Sequence, residues 1–423
     1  MIDFAIGCRR SLMAAAGVSF LTATSALSTE ITVWCWDPNF NGAAMAEAAA
    51  RYSEANPDVT VNIVELAKTD VEQKLQTQLS SGTSEGLPDI VLIEDYGAQK
   101  YLQSFPGAFE PLSEKIDYSN FAQYKVDLAT LDGETYSLPF DSGVTGLFYR
   151  SDILAEAGFT ADDLTDIDWD RFIEIGKQVK AKTGHPMLAL DLNDAGAIRI
   201  LLQSAGSWYF DENGSPNLAA NPAFKSVLET YAKILTTSDI WKPVSGWNEY
   251  TGAFTSGETA AVFTGVWMTG TIKAANMSGK WAVAPLPKLA GFEGGGHASN
   301  LGGSSWYVLS EGQSKDAAVD FLATVWGKDV DFYQKILVGQ GAFATYLPAR
   351  EGVAYAATDD YFGGQAVWRD FSDWVAAIPG VNYGLFTNEV DAAVVVQLPE
   401  LAKGGSVDEA IAAIDAQVRQ QIN

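Results

Sequence analysis

Short apolar runs alternate with Ala-rich amphipathic stretches through the first hundred residues. Residues 31–35 and 59–64 alternate and carry β-branched side chains, and residues 90–93 form a continuous apolar run, so each predicts a strand. Helical patterns at residues 43–55 and 69–79 lie between these strands. This order predicts an α/β fold with a mostly parallel sheet and helices on both faces. In such a sheet, ligands bind beyond the carboxyl ends of the strands.

The rest of the chain is richer in helical patterns. A helix over residues 222–235 has the clearest start, because Asn221 is a good N-cap and Pro222 suits a first turn. Residues 136–150 and 281–287 are extended and contain proline, which indicates that the chain crosses to a second, more helical lobe and returns. Further patterns predict a strand at residues 306–309 and helices at residues 151–157, 169–182, 195–205, 315–326, 329–337 and 407–421.

The amino terminus has the pattern of a removable export signal. Arg9 and Arg10 precede an apolar run over residues 12–27, and small residues favour cleavage after Ser28. A membrane anchor is the competing interpretation, but the run contains four serine and threonine residues and is shorter than the roughly 20 apolar residues that span a bilayer. Residues 1–28 are therefore predicted to be a signal peptide, with the Sec and twin-arginine routes both open.

Size and charge narrow the class of protein. Cleavage would leave about 395 residues, more than one hydrophobic core normally organises, so two domains are expected. The formal net charge of −26 disfavours nucleic acid and anionic membranes as partners, since both would be repelled. Only Cys35 remains in the mature chain, so no internal disulfide is expected although the protein is predicted to be exported.

Aromatic rings stand beside acids and amides in several predicted loops. Trp36, Asp37 and Asn39 follow the first strand, and Asp95 with Tyr96 follows the third. A sugar has a weakly polar face of C–H groups and a rim of hydroxyls, so flat rings and carboxylate or amide acceptors match both parts. The pattern therefore predicts a neutral, polyhydroxylated ligand. Further candidate rings are Trp208, Trp247, Trp267, Trp374 and Tyr383.

Most large aromatic residues pack in the core, so not every ring is a ligand candidate. The strand alternation turns Trp34 inward, and Trp326 lies in a predicted helix, so both are predicted to be core residues. Trp36 is next to a turn and is the better candidate for ligand contact.

The chain contains few of the residues that several kinds of catalytic site require. The chain has two histidines, His185 and His297, which leaves little for a Ser/His triad or a histidine metal site. Neither a metal nor a cofactor is predicted. A glycosidase with two carboxylates stays open as an alternative, because no acidic pair stands out among 53 acidic residues. A receptor for a cationic solute also stays open, since Asp37, Asp95 and Asp141 could pair with ammonium.

Seven stretches occur together in a characteristic order and spacing: residues 31–41, 87–95, 138–150, 254–267, 284–287, 301–306 and 347–350. Through them the chain resembles the extracellular solute-binding proteins, family 1, of ABC sugar importers. The stretch at residues 34–41 is also similar to the lactose- or galactoside-binding branch of that family. The resemblance implies a two-lobe periplasmic-binding-protein fold of type II, in which each lobe is a mostly parallel sheet flanked by helices. The lobes would comprise residues 29–140 plus 288–346 and residues 141–287 plus 347–423.

The resemblance also implies a mechanism and a site. The lobes would close by hinge motion around a sugar, without catalysis, and the closed monomer would dock on the permease of an ABC importer in the periplasm. The glycine turn would let backbone N–H groups approach the ligand. The residues that match binding positions of the family are Trp36, Asp37, Asn39, Asp95, Asp141, Trp267, Gly302, Gly303, Ser304, Arg350, Trp374 and Tyr383.

Overall fold

The computed structural model describes residues 29–292 and 295–422. The predicted signal peptide lies outside these residues. The strands of the described part are β1 (Thr29–Cys35), β2 (Val59–Glu65), β3 (Ile90–Glu94), β4 (Thr130–Leu131), β5 (Glu134–Thr135), β6 (Ser137–Arg150), β7 (Leu188–Leu190), β8 (Trp241–Pro243), β9 (Ala261–Gly265), β10 (Trp281–Ala284) and β11 (Asn300–Val308).

Helices flank these strands along the whole described chain. They are α1 (Asn41–Ala55), α2 (Lys68–Ser81), α3 (Ala98–Ser104), α4 (Gln123–Leu128), α5 (Ser151–Glu156), α6 (Trp169–Thr183), α7 (Gly196–Ser204), α8 (Pro222–Thr236), α9 (Gly246–Thr255), α10 (Thr269–Ala274), α11 (Lys315–Phe321), α12 (Val330–Gln340), α13 (Val353–Ala356), α14 (Val367–Val375), α15 (Thr387–Ala402) and α16 (Val407–Ile422).

The central sheet has the strand order β10-β6-β11-β3-β1-β2, and β9 also pairs with β6. The predicted parallel pairing is found where β1 joins β2 and β3. The prediction that each lobe has a mostly parallel sheet is wrong for residues 141–287, because β9 and β10 both pair antiparallel with β6. Strands β9 and β10 are joined through α10 and lie on either side of β6, so they run parallel to each other but antiparallel to the strand between them.

Strand β6 connects the two parts of the sheet. Its first residues pair with β11, up to the bridge between Val144 and Asn300. From Thr145 onward it pairs with β9 and β10 instead. The long extended stretch that the sequence predicted is therefore one continuous, fully buried strand that changes partners midway.

Antiparallel pairing of β11 sets the position of its first residues. Because β11 runs against β3, its start lies at the edge of the sheet where β1 and β3 end. Ser304 of β11 pairs with Glu94 at the end of β3 and with Asp141 of β6. Loops that are far apart in sequence thus meet at one edge.

The core follows the apolar pattern of the sequence. Trp34 is 2 % exposed and Trp326 is fully buried, so both predictions of a core position are confirmed. The ammonium of Lys74 lies 4.1 Å from the centre of the Trp34 ring and covers it from solvent. In the described residues, no helix is both long and apolar enough to cross a membrane.

Helix α8 begins as the sequence predicts. The Asn221 side-chain oxygen accepts hydrogen bonds from the N–H groups of Ala223 (3.0 Å) and Phe224 (3.2 Å). Its amide nitrogen donates to the Trp208 carbonyl at 2.8 Å, so the cap also fixes the preceding loop. Asn221 therefore ties the first turn of α8 to the loop that contains Trp208.

We expect Asn221→Ala to lower the free energy of unfolding by about 1–2 kcal/mol, because two N–H groups of the first turn lose their acceptor. Urea denaturation followed by tryptophan fluorescence measures the change. Asn217→Ala, at a more exposed position of the same loop, is the control and should stay within about 0.5 kcal/mol of the wild type. Equal effects of the two variants would contradict a capping role for Asn221.

Candidate functional site

A cavity of about 540 Å³ opens at the edge where the strands of the central sheet end. Its wall combines the loops after β1 and β3, the start of β11, and residues from β7, α7, α9 and β9. The volume lies in the range of roughly 300–1,000 Å³ that is typical of small-molecule sites. Eight of the predicted site residues lie on the wall: Trp36, Asp37, Asp141, Trp247, Trp267, Gly302, Gly303 and Ser304.

The loop after β1 is held by its own polar side chains. Asp37 accepts hydrogen bonds from the N–H groups of Asn39 (2.8 Å) and Phe40 (3.1 Å). The buried side-chain oxygen of Asn41 accepts from the N–H groups of Trp36 (3.2 Å) and Asp37 (3.1 Å). These bonds hold the loop so that the half-buried Trp36 ring lines the cavity. Asn39 is exposed and is not part of the wall.

The start of β11 brings backbone close to the cavity. Gly303 has φ +89°, and a β-carbon there would lie 2.7 Å from an Asp95 carboxylate oxygen, so glycine is required. Ser304 donates to one oxygen of Asp141 from both its N–H (2.9 Å) and its hydroxyl (2.7 Å). Burial raises the pKa of Asp141, while the hydrogen bonds from Ser304 act in the opposite direction. Asp141 is thus a fixed acceptor on the wall.

Asp95 lies behind this wall in a buried ion pair. Its carboxylate is 2.5 Å from the Lys125 ammonium, which also donates to the Ser304 carbonyl at 2.9 Å. Both side chains are almost completely buried. Burial raises the pKa of Asp95 to about 7, although Lys125 opposes the shift. The prediction that Asp95 accepts bonds from a ligand is not supported by this geometry, and the pair supports the turn at Ser304 instead.

Three indole rings line the cavity. Trp267 lies in a short 3₁₀ turn after β9, and its N–H donates to the Leu301 carbonyl at 2.9 Å. Trp247 is 5.9 Å from Trp267 between ring centres and is 55 % exposed. Trp247 was predicted to lie in a loop, but it is in the first turn of α9. With Trp36, these rings provide broad apolar faces beside the carboxylates.

Trp208 and Tyr383 form a second aromatic layer rather than part of the wall. Tyr96 lines the cavity, and its ring centre lies 5.9 Å from that of Trp208 and 4.7 Å from that of Tyr383. The Trp208 N–H donates to the Thr387 hydroxyl at 3.0 Å, and both rings are fully buried. These two predicted residues therefore support Tyr96 and do not face the cavity.

The remaining two predicted residues also lie outside the cavity wall. Arg350 donates to Asp373 at 3.2 Å from a 3₁₀ turn. Trp374 is in α14 and packs edge-on against Phe371, with ring centres 5.1 Å apart. Neither residue is among those that line the cavity.

The wall contains residues that the sequence reasoning missed. Asp191 and Asp194 follow β7, and Arg199 is on α7. Trp36 was predicted because ligands bind beyond the ends of strands, and Asp191 follows a strand in the same way. Asp191 was missed because the three-residue strand β7 was not predicted. Five carboxylates and two cations line the cavity, so its wall is acidic; the ionisable residues are Asp37, Lys68, Glu94, Asp141, Asp191, Asp194 and Arg199.

The chemistry of the wall suits hydrogen bonding and stacking. Carboxylate oxygens accept bonds from hydroxyls, and indole faces cover C–H groups. In residues 29–292 and 295–422, no three His, Cys, Asp or Glu side chains are placed to hold a metal ion together.

Comparisons with known proteins agree with this picture. A family model described as bacterial extracellular solute-binding protein matches residues 47–363. The chain is 57 % identical to a lactose-binding protein of Rhizobium radiobacter over 423 residues, covering 100 % of both chains. It is 29 % identical to an arabinooligosaccharide-binding protein of Bacillus subtilis over 71 % of this chain and 70 % of that one.

Solved structures show the same fold. One is an extracellular solute-binding protein of family 1, with a TM-score of 0.79, 21 % identity and coverage of 93 % of this chain and 100 % of that chain. The predicted periplasmic-binding-protein fold is confirmed by this likeness. The family match covers most of the chain, and the first relative is similar over its whole length. The chain belongs to the bacterial extracellular solute-binding proteins.

Proposed function

We propose that this protein is a carbohydrate-binding receptor that captures a neutral mono- or oligosaccharide, with a galactoside such as lactose as the first candidate. The observation that carries the proposal is the pairing of indole rings with fixed carboxylates on one cavity wall. Trp36, Trp247 and Trp267 provide the rings, and Asp37 and Asp141 provide acceptors. The 57 % identity to a lactose-binding protein supports lactose as the first sugar to test.

Each part of the wall has a defined task in this proposal. The indole rings cover the C–H faces of the sugar and exclude water. Asp141, already oriented by Ser304, accepts hydrogen bonds from sugar hydroxyls, and such bonds to a charged acceptor are stronger than neutral ones. No covalent step is part of the cycle, so the protein acts as a receptor and not as an enzyme.

Binding is coupled to a hinge motion between two lobes. The lobes comprise residues 29–140 with 288–346, and residues 141–287 with 347–423. Trp36 and Ser304 contact the sugar from the first lobe and Trp267 from the second, so the closed state gains contacts that the open state lacks. The closed monomer then delivers the sugar to the permease of an ABC importer. The mature protein acts in the periplasm after cleavage near Ser28, which amino-terminal sequencing of the exported protein checks.

A thermal-shift screen of the mature protein tests the proposal. Lactose, other disaccharides and monosaccharides are titrated, and lactose at 100 times its dissociation constant should stabilise the protein by about 2.7 kcal/mol. The melting temperature should rise with the logarithm of the sugar concentration. Absence of stabilisation by every sugar, with a cooperative melting curve for the free protein, would contradict the proposal.

Two further measurements separate the alternatives. Release of galactose and glucose from lactose during incubation would support a glycosidase that uses two carboxylates. Stabilisation by amines that weakens with salt would support a receptor for a cationic solute. Lactose recovered intact and stabilisation independent of salt are expected for the receptor proposed.

A further inference from the structure

Arg199 stands out on the cavity wall because its donors are unused. Its guanidinium lies 4.6 Å from the centre of the Tyr96 ring, which holds its plane in place. An arginine side chain has five N–H donors in a rigid fork. In residues 29–292 and 295–422, none of these donors makes a hydrogen bond, and the buried Nε atom is left without a partner. A buried donor of this kind is normally satisfied by the protein, by ordered water or by a bound molecule, and a sugar in the cavity offers such an acceptor.

The charge of Arg199 is balanced locally. An Asp391 oxygen lies 3.5 Å from the guanidinium, too far for a hydrogen bond but close enough for an ion pair. The other Asp391 oxygen accepts from the Tyr209 hydroxyl at 2.9 Å, so the carboxylate is held in position. Asp194 and Glu94, both on the cavity wall, also act electrostatically on this pair. Arg199 therefore offers donors without offering an excess positive charge.

We propose that Arg199 donates hydrogen bonds to the bound sugar and that Asp391 cancels its charge, so that the cavity takes a neutral sugar and rejects the corresponding sugar acid. The inference rests on the proposed function and adds a specificity-determining pair to it. A sugar offers ring and hydroxyl oxygens as acceptors for the fork. Lys68, the other cation on the described wall, is paired with Glu94. A carboxylate would therefore meet the acidic wall without an uncompensated cation to offset the repulsion.

Titration calorimetry with lactose and with lactobionate, its sugar acid, tests both parts. The wild type should bind lactose at least ten-fold more tightly than lactobionate. Arg199→Met should weaken lactose binding at least ten-fold, and Arg199→Lys should weaken it as well because the fork is lost. Asp391→Asn should reduce the preference for lactose over lactobionate at least five-fold, since the charge of Arg199 is then uncompensated and attracts the carboxylate.

Controls separate specificity from folding. Arg171→Met changes an exposed arginine of α6 and should match the wild type in both titrations. If Arg199→Met leaves Asp391 unpaired and unstable, the double variant Arg199→Met/Asp391→Asn removes both charges and should still bind lactose at least ten-fold more weakly. Wild-type affinity for lactose in Arg199→Met, or an unchanged preference for lactose over lactobionate in Asp391→Asn, would overturn this inference but leave the proposed function standing. Failure of the wild type to bind either compound would overturn the proposed function and this inference together.

Discussion

Lys125→Met is expected to lower the free energy of unfolding by about 3–5 kcal/mol at pH 9, because it leaves the Asp95 carboxylate buried without its cation. The Lys125 side chain is 0 % exposed and that of Asp95 is 2 % exposed, so water cannot replace the missing ammonium. One Asp95 oxygen has no hydrogen-bond partner even in the wild type. The variant also removes the bond to the Ser304 carbonyl, which holds the turn beside the cavity.

The loss of stability in Lys125→Met should be larger at high pH than at low pH. Burial raises the pKa of Asp95 in the folded protein above its unfolded value, and Lys125 lowers it. Removing Lys125 therefore raises the folded-state pKa further. Between the two pKa values the folded state holds a proton that the unfolded state releases, so stability falls as pH rises. At pH 5 the carboxyl is protonated in the folded variant, and the expected cost is only about 1–2 kcal/mol.

Urea denaturation at pH 5 and pH 9 measures both effects. Lys177→Met removes an exposed lysine from a surface pair with Glu174 and should cost less than about 0.5 kcal/mol at either pH. Adding Asp95→Asn to Lys125→Met removes the unpaired charge and should recover about 2 kcal/mol at pH 9. If Lys125→Met behaves like Lys177→Met at both pH values, the buried pair does not stabilise this part of the fold.

Trp267→Ala should weaken lactose binding about 30- to 100-fold, or about 2–3 kcal/mol, because a large ring on the cavity wall is lost. The ring is half-buried, faces Trp247, and is fixed by the hydrogen bond from its N–H to the Leu301 carbonyl. The ring is therefore preorganised, and a sugar that stacks on it does not have to order it first. Titration calorimetry on the folded variant measures the loss.

Two matched tryptophan variants control this prediction. Trp267→Phe keeps an aromatic face without the N–H and should lose less affinity than Trp267→Ala. Trp374→Ala removes a partly exposed ring that packs on Phe371 and does not line the cavity, so it should bind lactose within about two-fold of the wild type. Normal affinity in Trp267→Ala with weak binding in Trp374→Ala would reverse the assignment and place the sugar elsewhere.

The sequence was informative where a function is tied to a local pattern. Trp36 and Asp37 directly follow a strand, and strand ends in α/β sheets face ligands, so their place on the wall was predictable. Trp34 was also predicted to be buried, and it is, but on the face opposite Ile31 and Val33, because helices cover both faces of β1. Asp191 was missed because a strand of three residues leaves too short a pattern to recognise.

Other assignments depended on pairings between distant segments. Trp208 and Tyr383 have the composition of sugar-binding residues, but they are buried behind Tyr96 because segments about 110 and 290 residues away pack together. Arg199 gave no signal in the sequence, since an arginine on an amphipathic helix is usually a surface residue. Arg199 reaches the cavity wall because α7 packs against β9 and β11, and that packing joins distant segments of the chain.

The sequence by itself determined the order of strands and helices around β1, β2 and β3, because periodicity and turn residues act within a few positions of one another. Only the tertiary structure decided whether Asp95 or Asp141 faces the cavity. Ser304 pairs with Glu94 on one side and with Asp141 on the other. That register turns Asp141 to the wall and leaves Asp95 behind it with Lys125. Strand register is set by long-range hydrogen bonds and burial, which no local pattern records.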